Sequence, residues 1–367
     1  MPVKETRLII NLSDLAFNYA VIKEKLKPET KIMGVVKAFA YGTDSVVVAQ
    51  KLVDLAVDYL AVAYIEEGVR LRQSGITIPI LVFYPQVEEL KQLLTYNLTP
   101  SIYNFRYLKK LNATLNKEDI EDFQIHIKIN TGLNRLGFDL NELEAIYNEI
   151  NQSKRIKLVG LFSHLAASGN AKEAKFTQSQ IEKFEIAKRF FQSKFDQKLI
   201  AHLCNSSGIF NFPEAEYDMV RAGIALYGYG NNTKEHEQLQ PISSLKTVIT
   251  QLRSIQVGES VGYERLFKAS RKTKVATLPL GYVDGIARQF GNLKAEVLIN
   301  GKTAPIIGNV CMDTMMIDVT DIECKEGDHV TIFGKEHSAL KFDKLQQSIP
   351  YEIITRISQR VTRVIES

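Results

Sequence analysis

Lys37 lies in the run VVKAFA, with apolar residues on both sides. Apolar surroundings disfavour an ammonium and lower its pKa, which makes a neutral amine available for a Schiff base. Arg221 lies in MVRAGIALYG, and a guanidinium buried in such a run must be paired; the ring nitrogen of a bound cofactor is one candidate partner. Further polar residues close other apolar runs: Tyr41 after the lysine run, Lys128 and Asn130 in FQIHIKIN with Arg135 shortly beyond, His164 after KLVGLFS, and Asn205 with Ser206 after LIAHLC. A lysine, two arginines, a histidine and hydroxyls around one opening make a site for an anionic, electrophilic ligand. The small residues of RAGIALYG permit close backbone approach to a phosphate, with N–H groups and the Ser206 hydroxyl as donors. Each residue also has a plainer reading: a snorkelling strand-end lysine, a packed histidine, a core tyrosine, a glycine needed for packing.

The elements that would position these residues are eight short apolar runs: KIMGVVKA, YLAVAY, IPILVFY, LTPSIY, FQIHIKIN, KLVGLFSHLA, LIAHLCNS and MVRAGIALYG. Between them, segments such as SVVVAQKLVDLAVD and LNELEAIYNEI repeat apolar residues at three and four, the helical spacing. Strand then helix, eight times, predicts an α/β fold of the (β/α)8 TIM-type barrel class, in which working residues project from the C-terminal strand ends. The barrel is expected over residues 8–232, and a mostly-β domain over 233–367 with which residues 1–7 can pack. In that second domain Asn300-Gly301 signals a hairpin. Tyr263 and Tyr282 each follow a glycine, consistent with turn tyrosines that cover a sheet or with phenols that reach across an interface; Met312 and Asp313 read as a strand end and turn.

The composition excludes other classes. With 367 residues, 45% hydrophobic and 24% charged, the chain can bury a sizeable core, which rules out a disordered tail. A net charge of +4 without a basic run gives no reason to expect nucleic acid. Three cysteines without a CxxC pair fit a reducing compartment and support neither disulfides nor zinc; no metal is expected. The N-terminal MPVKETRLIINLSDL turns polar before a signal-type core forms, and no run approaches a membrane span, so the expectation is a cytoplasmic protein without membrane contact.

VVKAFAYG resembles the pyridoxal-phosphate lysine motif of the fold type III alanine racemases. KINTGLNRLGF, SHLAASG, HLCNSSG, VRAGIALYG, VGYERLF, LPLGYVDG, GNVCMDTMMIDV and YEIITRI continue that resemblance in family order to the C-terminus. It implies a pyridoxal 5'-phosphate isomerase that interconverts L- and D-alanine and supplies D-alanine for peptidoglycan, working as a head-to-tail homodimer with shared sites. Lys37 would form the Schiff base with the cofactor and act as base on the D-alanine side. Tyr263, from the second subunit, would act on the L-alanine side. Two bases on opposite faces of one planar carbanion are what racemisation requires.

The resemblance further implies that Arg221 donates to the pyridine nitrogen and that His164 orients it. Tyr41, Ser206, the N–H groups of Gly223 and Ile224, and Tyr351 would hold the phosphate. Arg135 would meet the cofactor's phenolic oxygen and the substrate carboxylate. Met312 would supply a backbone donor to that carboxylate, with Tyr282 and Asp313 also on the substrate side. The lysine matching Lys128 is often carbamylated in the family, which would fix Arg135. Phe39, Thr43, Asp44 and Asn130 depart from the usual motif and put cofactor affinity and loop contacts in question. The alternatives are a broad-specificity amino-acid racemase, which needs more room near Tyr282 and Tyr351; a decarboxylase, against which Arg221 argues; and a non-catalytic cofactor carrier, which would lack the β domain.

Overall fold

A computed structural model describes residues 5–342 and 349–367; of the N-terminal segment 1–7, the first four residues lie outside that range. Strand β1 is Arg7–Asn11. The next eight, β2 (Lys31–Val35), β3 (Tyr59–Val62), β4 (Ile80–Val82), β5 (Thr99–Ile102), β6 (Phe123–Lys128), β7 (Ile156–Phe162), β8 (Ile200–His202) and β9 (Met219–Ala222), close into a parallel barrel. All eight runs read from the sequence supply these strands. They are apolar on both faces because barrel strands face side chains within and helices without; every residue of β4 and β9 is buried.

The helices between them bury one stripe each. In Phe105–Lys117, Tyr107, Leu108, Leu111 and Leu115 turn inward, and the Asn104 side chain caps the helix by accepting from the Tyr107 N–H at 2.8 Å. Inside the barrel, Gly160 on β7 leaves room for a neighbour's ring: a Cβ there would lie 2.2 Å from His126 Nδ1.

One connection is not an ordinary helix. After β2 the chain enters six residues, Lys37–Gly42, in which Ala38, Phe39, Ala40 and Tyr41 all have φ between 50° and 55° and Gly42 has 86°. This is a left-handed turn built largely of L residues, each costing about 1–2 kcal/mol relative to the right-handed form. Lys37 therefore stands two residues beyond its strand, at the start of a strained turn, and not within the apolar strand that its neighbours suggest.

Among the described residues the second sheet has nine strands in the order Gln251–Ile255, Thr273–Leu278, Met315–Asp318, Lys302–Ile307, Glu296–Ile299, His329–Phe333, Ser243–Val248, β1 and Thr362–Glu366. Asn300 (φ 48°) and Gly301 (φ 74°) form the tight hairpin between Glu296–Ile299 and Lys302–Ile307. Strand β1 pairs antiparallel with Ser243–Val248 and parallel with Thr362–Glu366, so residues 8–11 lie in this sheet and not in the barrel. The chain divides into one compact unit of residues 1–15, 41–44 and 240–367 and another of 16–40 and 45–239. Among the described residues no helix is long and apolar enough to cross a membrane.

Gly160→Ala should destabilise the barrel by about 1–3 kcal/mol, the usual cost of forcing a methyl into a packed core. The urea midpoint reads this directly; an unchanged midpoint would mean that the His126 ring moves aside freely.

Candidate active site

The buried guanidinium of Arg221, on β9, is the most heavily bonded group at the barrel's C-terminal end. Its Nη1 donates to the His202 carbonyl at 2.9 Å and meets His202 Nδ1 at 2.9 Å. Its Nη2 donates to the carbonyls of Ser163 (2.6 Å) and Leu203 (2.9 Å) and meets His164 Nδ1 at 3.2 Å. A guanidinium can only donate, and Nη1 has one N–H for each of its two contacts, so His202 presents an unprotonated Nδ1. The proton of His202 then sits on Nε2, which lies 2.9 Å from His126 Nδ1. Burial and the Arg221 charge push His126 down to about 3, and hold His202 and His164 well below the ordinary range. Arg221 is itself lowered by burial to about 10, which leaves it charged at neutral pH.

Phe162 forms a platform beneath this chain. Its ring stacks on His202 at 4.8 Å and lies 5.4 Å from the Arg221 guanidinium and 5.7 Å from Lys128 Nζ. Lys128 is buried, and burial together with Arg135, Arg221 and Lys37 lowers its amine to about 7. Lys37 is lowered by burial and then by Arg135, with Glu67 pulling the other way. The structure thus gathers Lys37, Lys128, Arg135, His164 and Arg221 in one electrostatic neighbourhood.

Arg135 is carried by a loop that Asn130 organises. The Asn130 side-chain Oδ1 accepts from the N–H groups of Gly132 and Asn134, while its Nδ2 donates to Asn134 Oδ1 and Asp139 Oδ1. Arg135 is exposed and makes no hydrogen bond among the described residues. Gln180 ties this loop to His164: it donates to Thr131 Oγ1 and the His164 carbonyl and accepts from the Ala166 N–H.

Ser206 is buried at the start of the helix Ser206–Asn211, and its Oγ accepts from the N–H groups of Gly223 (3.0 Å) and Ala225 (3.3 Å). The Gly223 N–H is therefore engaged within the protein, while the Ser206 hydroxyl proton and the Ile224 N–H have no partner among the described residues.

The remaining expected residues belong to the sheet unit. Tyr41 and Tyr351 face each other with ring centroids 6.0 Å apart, and burial, then Tyr351, raises the Tyr41 hydroxyl. Tyr263 is 71% exposed, on a turn where Gly262, Glu264 and Arg265 all have positive φ. Asn309 holds that turn, donating to the Tyr263 carbonyl at 3.2 Å and to Glu264 Oε2 at 2.9 Å. Tyr282 (42% exposed) and Met312 (52%) are on loops joined by the Tyr282 N–H to the Cys311 carbonyl and the Val283 N–H to the Met312 carbonyl. Asp313 is paired with Arg360 at 2.7 Å, which leaves it less available to a substrate than its sequence position suggests.

His126, His202, Phe162, Gln180, Glu67 and Asn309 were not singled out from the sequence. The only signal for the two histidines is a polar residue interrupting FQIHIK and LIAHL.

Comparison with known proteins adds to this geometry. The family model described as "Alanine racemase, N-terminal domain" matches residues 10–231, and "Alanine racemase, C-terminal domain" matches residues 242–365. The chain is similar to alanine racemase 2 of Caldanaerobacter subterraneus subsp. tengcongensis, at 37% identity over 99% of this chain and 95% of that one. It is likewise similar to alanine racemase 1 of Clostridium acetobutylicum, at 37% identity over 97% and 94%. The solved alanine racemase of Clostridium difficile 630 superimposes with a TM-score of 0.94 at 34% identity, covering 100% of this chain and 97% of that one. That of Bacillus anthracis with bound L-Ala-P gives a TM-score of 0.93 at 28% identity, covering 100% and 96%.

The neutral histidines make stability depend on acid. His126 has a proton affinity far below the ordinary 6.5 in the fold, so unfolding takes up a proton and stability falls as pH drops from 6.5 towards 3. Between pH 7 and 5 the wild type should lose about 2 kcal/mol more than His126→Asn, read from urea midpoints. Equal losses would show that His126 does not titrate in that way.

Proposed function

The chain belongs to the alanine racemase family, and on that premise we propose that it interconverts L- and D-alanine with Lys37 and Tyr263 as its two bases. Its cofactor is pyridoxal 5'-phosphate and its reaction an isomerisation. The observation that carries the assignment of residues is the cationic group of Lys37, Lys128, Arg135 and Arg221, with a lysine amine of lowered proton affinity in its midst.

These residues fit the cofactor. Among the described residues the Arg221 Nε–H is the one guanidinium donor without a partner, the two on Nη1 being taken by His202 and the two on Nη2 by the Ser163 and Leu203 carbonyls beside His164. That single donor suits an aromatic ring nitrogen, which accepts one hydrogen bond. The Ser206 hydroxyl and the Ile224 N–H suit phosphate oxygens. Tyr41 and Tyr351 are assigned to the phosphate, and Tyr282, Met312 and Asp313 to the substrate side, on the resemblance. When bound, pyridoxal phosphate supplies an electrophilic carbonyl carbon and a ring that takes up the electron pair left at the substrate α-carbon.

The protein's own groups do the rest. Arg135, exposed and without a hydrogen bond among the described residues, binds the substrate carboxylate. Lys37 Nζ, whose proton affinity is lowered by burial and then by Arg135, removes or returns the α-proton on the D-alanine side. The Tyr263 hydroxyl does so on the L-alanine side. An exposed phenol on a turn fixed by Asn309 supports delivery of that hydroxyl to a second copy of the chain, which makes the working unit a homodimer. Arg221 remains protonated, so it would hold the cofactor's ring nitrogen as a donor only and would keep that nitrogen uncharged. The product D-alanine would supply peptidoglycan synthesis in the cytoplasm.

Lys128 is proposed to carry a carbamate. A neutral amine attacks carbon dioxide, forms the N–C bond and releases one proton. With an amine lowered to about 7, much of Lys128 is neutral under physiological conditions. The anion formed would neutralise part of the surrounding positive charge and give Arg135 an acceptor.

Incubation with L-alanine in D2O should show α-deuteration and loss of optical rotation, abolished in Lys37→Ala and slowed by about 10²–10⁴ in Tyr263→Phe. Mixing the two variants should restore part of the activity through hybrid dimers. Racemisation that survives loss of Tyr263 would remove it as the second base. For Lys128, intact-mass measurement with bicarbonate present should show the mass of one carbon dioxide, with occupancy rising between pH 6 and 8; an unmodified amine at pH 8 would overturn the carbamate.

A further inference from the structure

The helix Ile65–Gln73, which follows β3, grips the left-handed turn that carries Lys37 through two side chains one helical turn apart. Glu67 accepts the Ala38 N–H on Oε1 at 2.6 Å, and its Oε2 accepts the N–H groups of Ala63 (2.7 Å) and Tyr64 (3.1 Å). A capping glutamate needs only the donors at its own helix start, so the bonds to Ala63 and Tyr64 have a local explanation. The bond to Ala38 does not: it joins residues 29 apart, and its donor is the amide directly after Lys37. Three residues further along the same helix, Arg70 places its guanidinium 5.7 Å from the Phe39 ring, the next residue of the turn. Phe39 is 44% exposed, so hydrophobic burial does not account for its placement.

A run of left-handed L residues persists only where its surroundings over-determine it. We propose that Glu67, assisted by Arg70, is a positioning residue that holds the Lys37 turn and fixes the direction and charge environment of the Lys37 amine. The carboxylate accepts three backbone donors, which orients it. Its charge opposes the effect of Arg135 on Lys37. Neither residue touches the reacting atoms; both act through the lysine. The proposal rests on the reading that Lys37 binds the cofactor.

The test uses full-length holoenzyme and compares wild type with Glu67→Gln, Glu67→Ala, Arg70→Ala and, as a control on the same helix, Glu66→Gln. Glu67→Gln keeps the shape but removes the charge and turns one acceptor into a donor. It should lower kcat by about ten- to a hundred-fold, the scale of losing a hydrogen bond to a charged group, with KM for alanine little changed. The visible-absorbance titration of the lysine-bound cofactor should move to lower pH, because removing a nearby negative charge disfavours the protonated nitrogen. Amide exchange at Ala38 should accelerate in both Glu67 variants and, less so, in Arg70→Ala, whereas Glu66→Gln should match wild type. Glu67→Gln with bound cofactor, unmoved titration and wild-type kcat would overturn the proposal, as would unaltered exchange at Ala38 in a folded Arg70→Ala and Glu67→Gln. A lysine-bound absorbance band that survives Lys37→Ala would instead overturn the reading of Lys37 itself, which keeps the two failures apart.

Discussion

Arg221 is a charge that cannot be given up, placed where water cannot reach most of it. Leaving a buried guanidinium unpaired is costly, and the surrounding chain meets that constraint with acceptors from the ends of β7 and β8. Much else at the barrel's C-terminal end follows. The Ser163 and Leu203 carbonyls must turn inward, which fixes the loops that begin there. His164 and His202 are held neutral, His202 with Nδ1 bare, and the same logic passes through His202 to His126 deeper in the barrel. Gly160 then has to be a glycine to admit the His126 ring.

The same fixed charge shapes the acid–base properties of its neighbours. Arg221 contributes to lowering Lys128, after burial and Arg135, and acts on all three histidines. A cluster of cations is unfavourable for an empty barrel and favourable for one that receives a phosphate and a carboxylate. The arrangement is therefore built for anionic ligands, and stability is given up in its favour: in the repulsion among the cations and again in the left-handed backbone of Ala38–Tyr41. Glu67 is the counterweight to both, as an opposing charge and as an acceptor for the strained turn.

The sheet unit presents its chemistry differently. Tyr263 is held by its backbone, through Asn309, and its ring is left exposed, whereas Arg221 and Lys128 are buried. Tyr263, Tyr282 and Met312 likewise stand exposed on hydrogen-bonded loops. The proposed head-to-tail pairing of two copies would give them a use.

Local pattern was enough to read much of this from the sequence. Buried parallel strands require continuous apolar runs, so all eight barrel strands were legible, as was the hairpin at Asn300-Gly301, where only residues tolerant of positive φ fit. Lys37 and Arg221 stood out as candidates because a charge inside an apolar run is conspicuous, and the ordered motifs assigned the family. What the sequence could not express are bonds between residues far apart along the chain. The pairing of β1 with the C-terminal strand, the His126–His202–Arg221 chain, the Asn309 support of Tyr263, the diversion of Asp313 to Arg360 and the Glu67 bond to Ala38 all span tens to hundreds of positions. Nor does VVKAFAYG reveal a left-handed turn, since its alanines, phenylalanine and tyrosine all prefer other backbone conformations and only packing and hydrogen bonds from distant elements hold them there. Periodicity and composition determined which elements form and which side chains are candidates for the chemistry; the tertiary structure decided their orientation and proton affinities, because both depend on neighbours that sequence spacing does not encode.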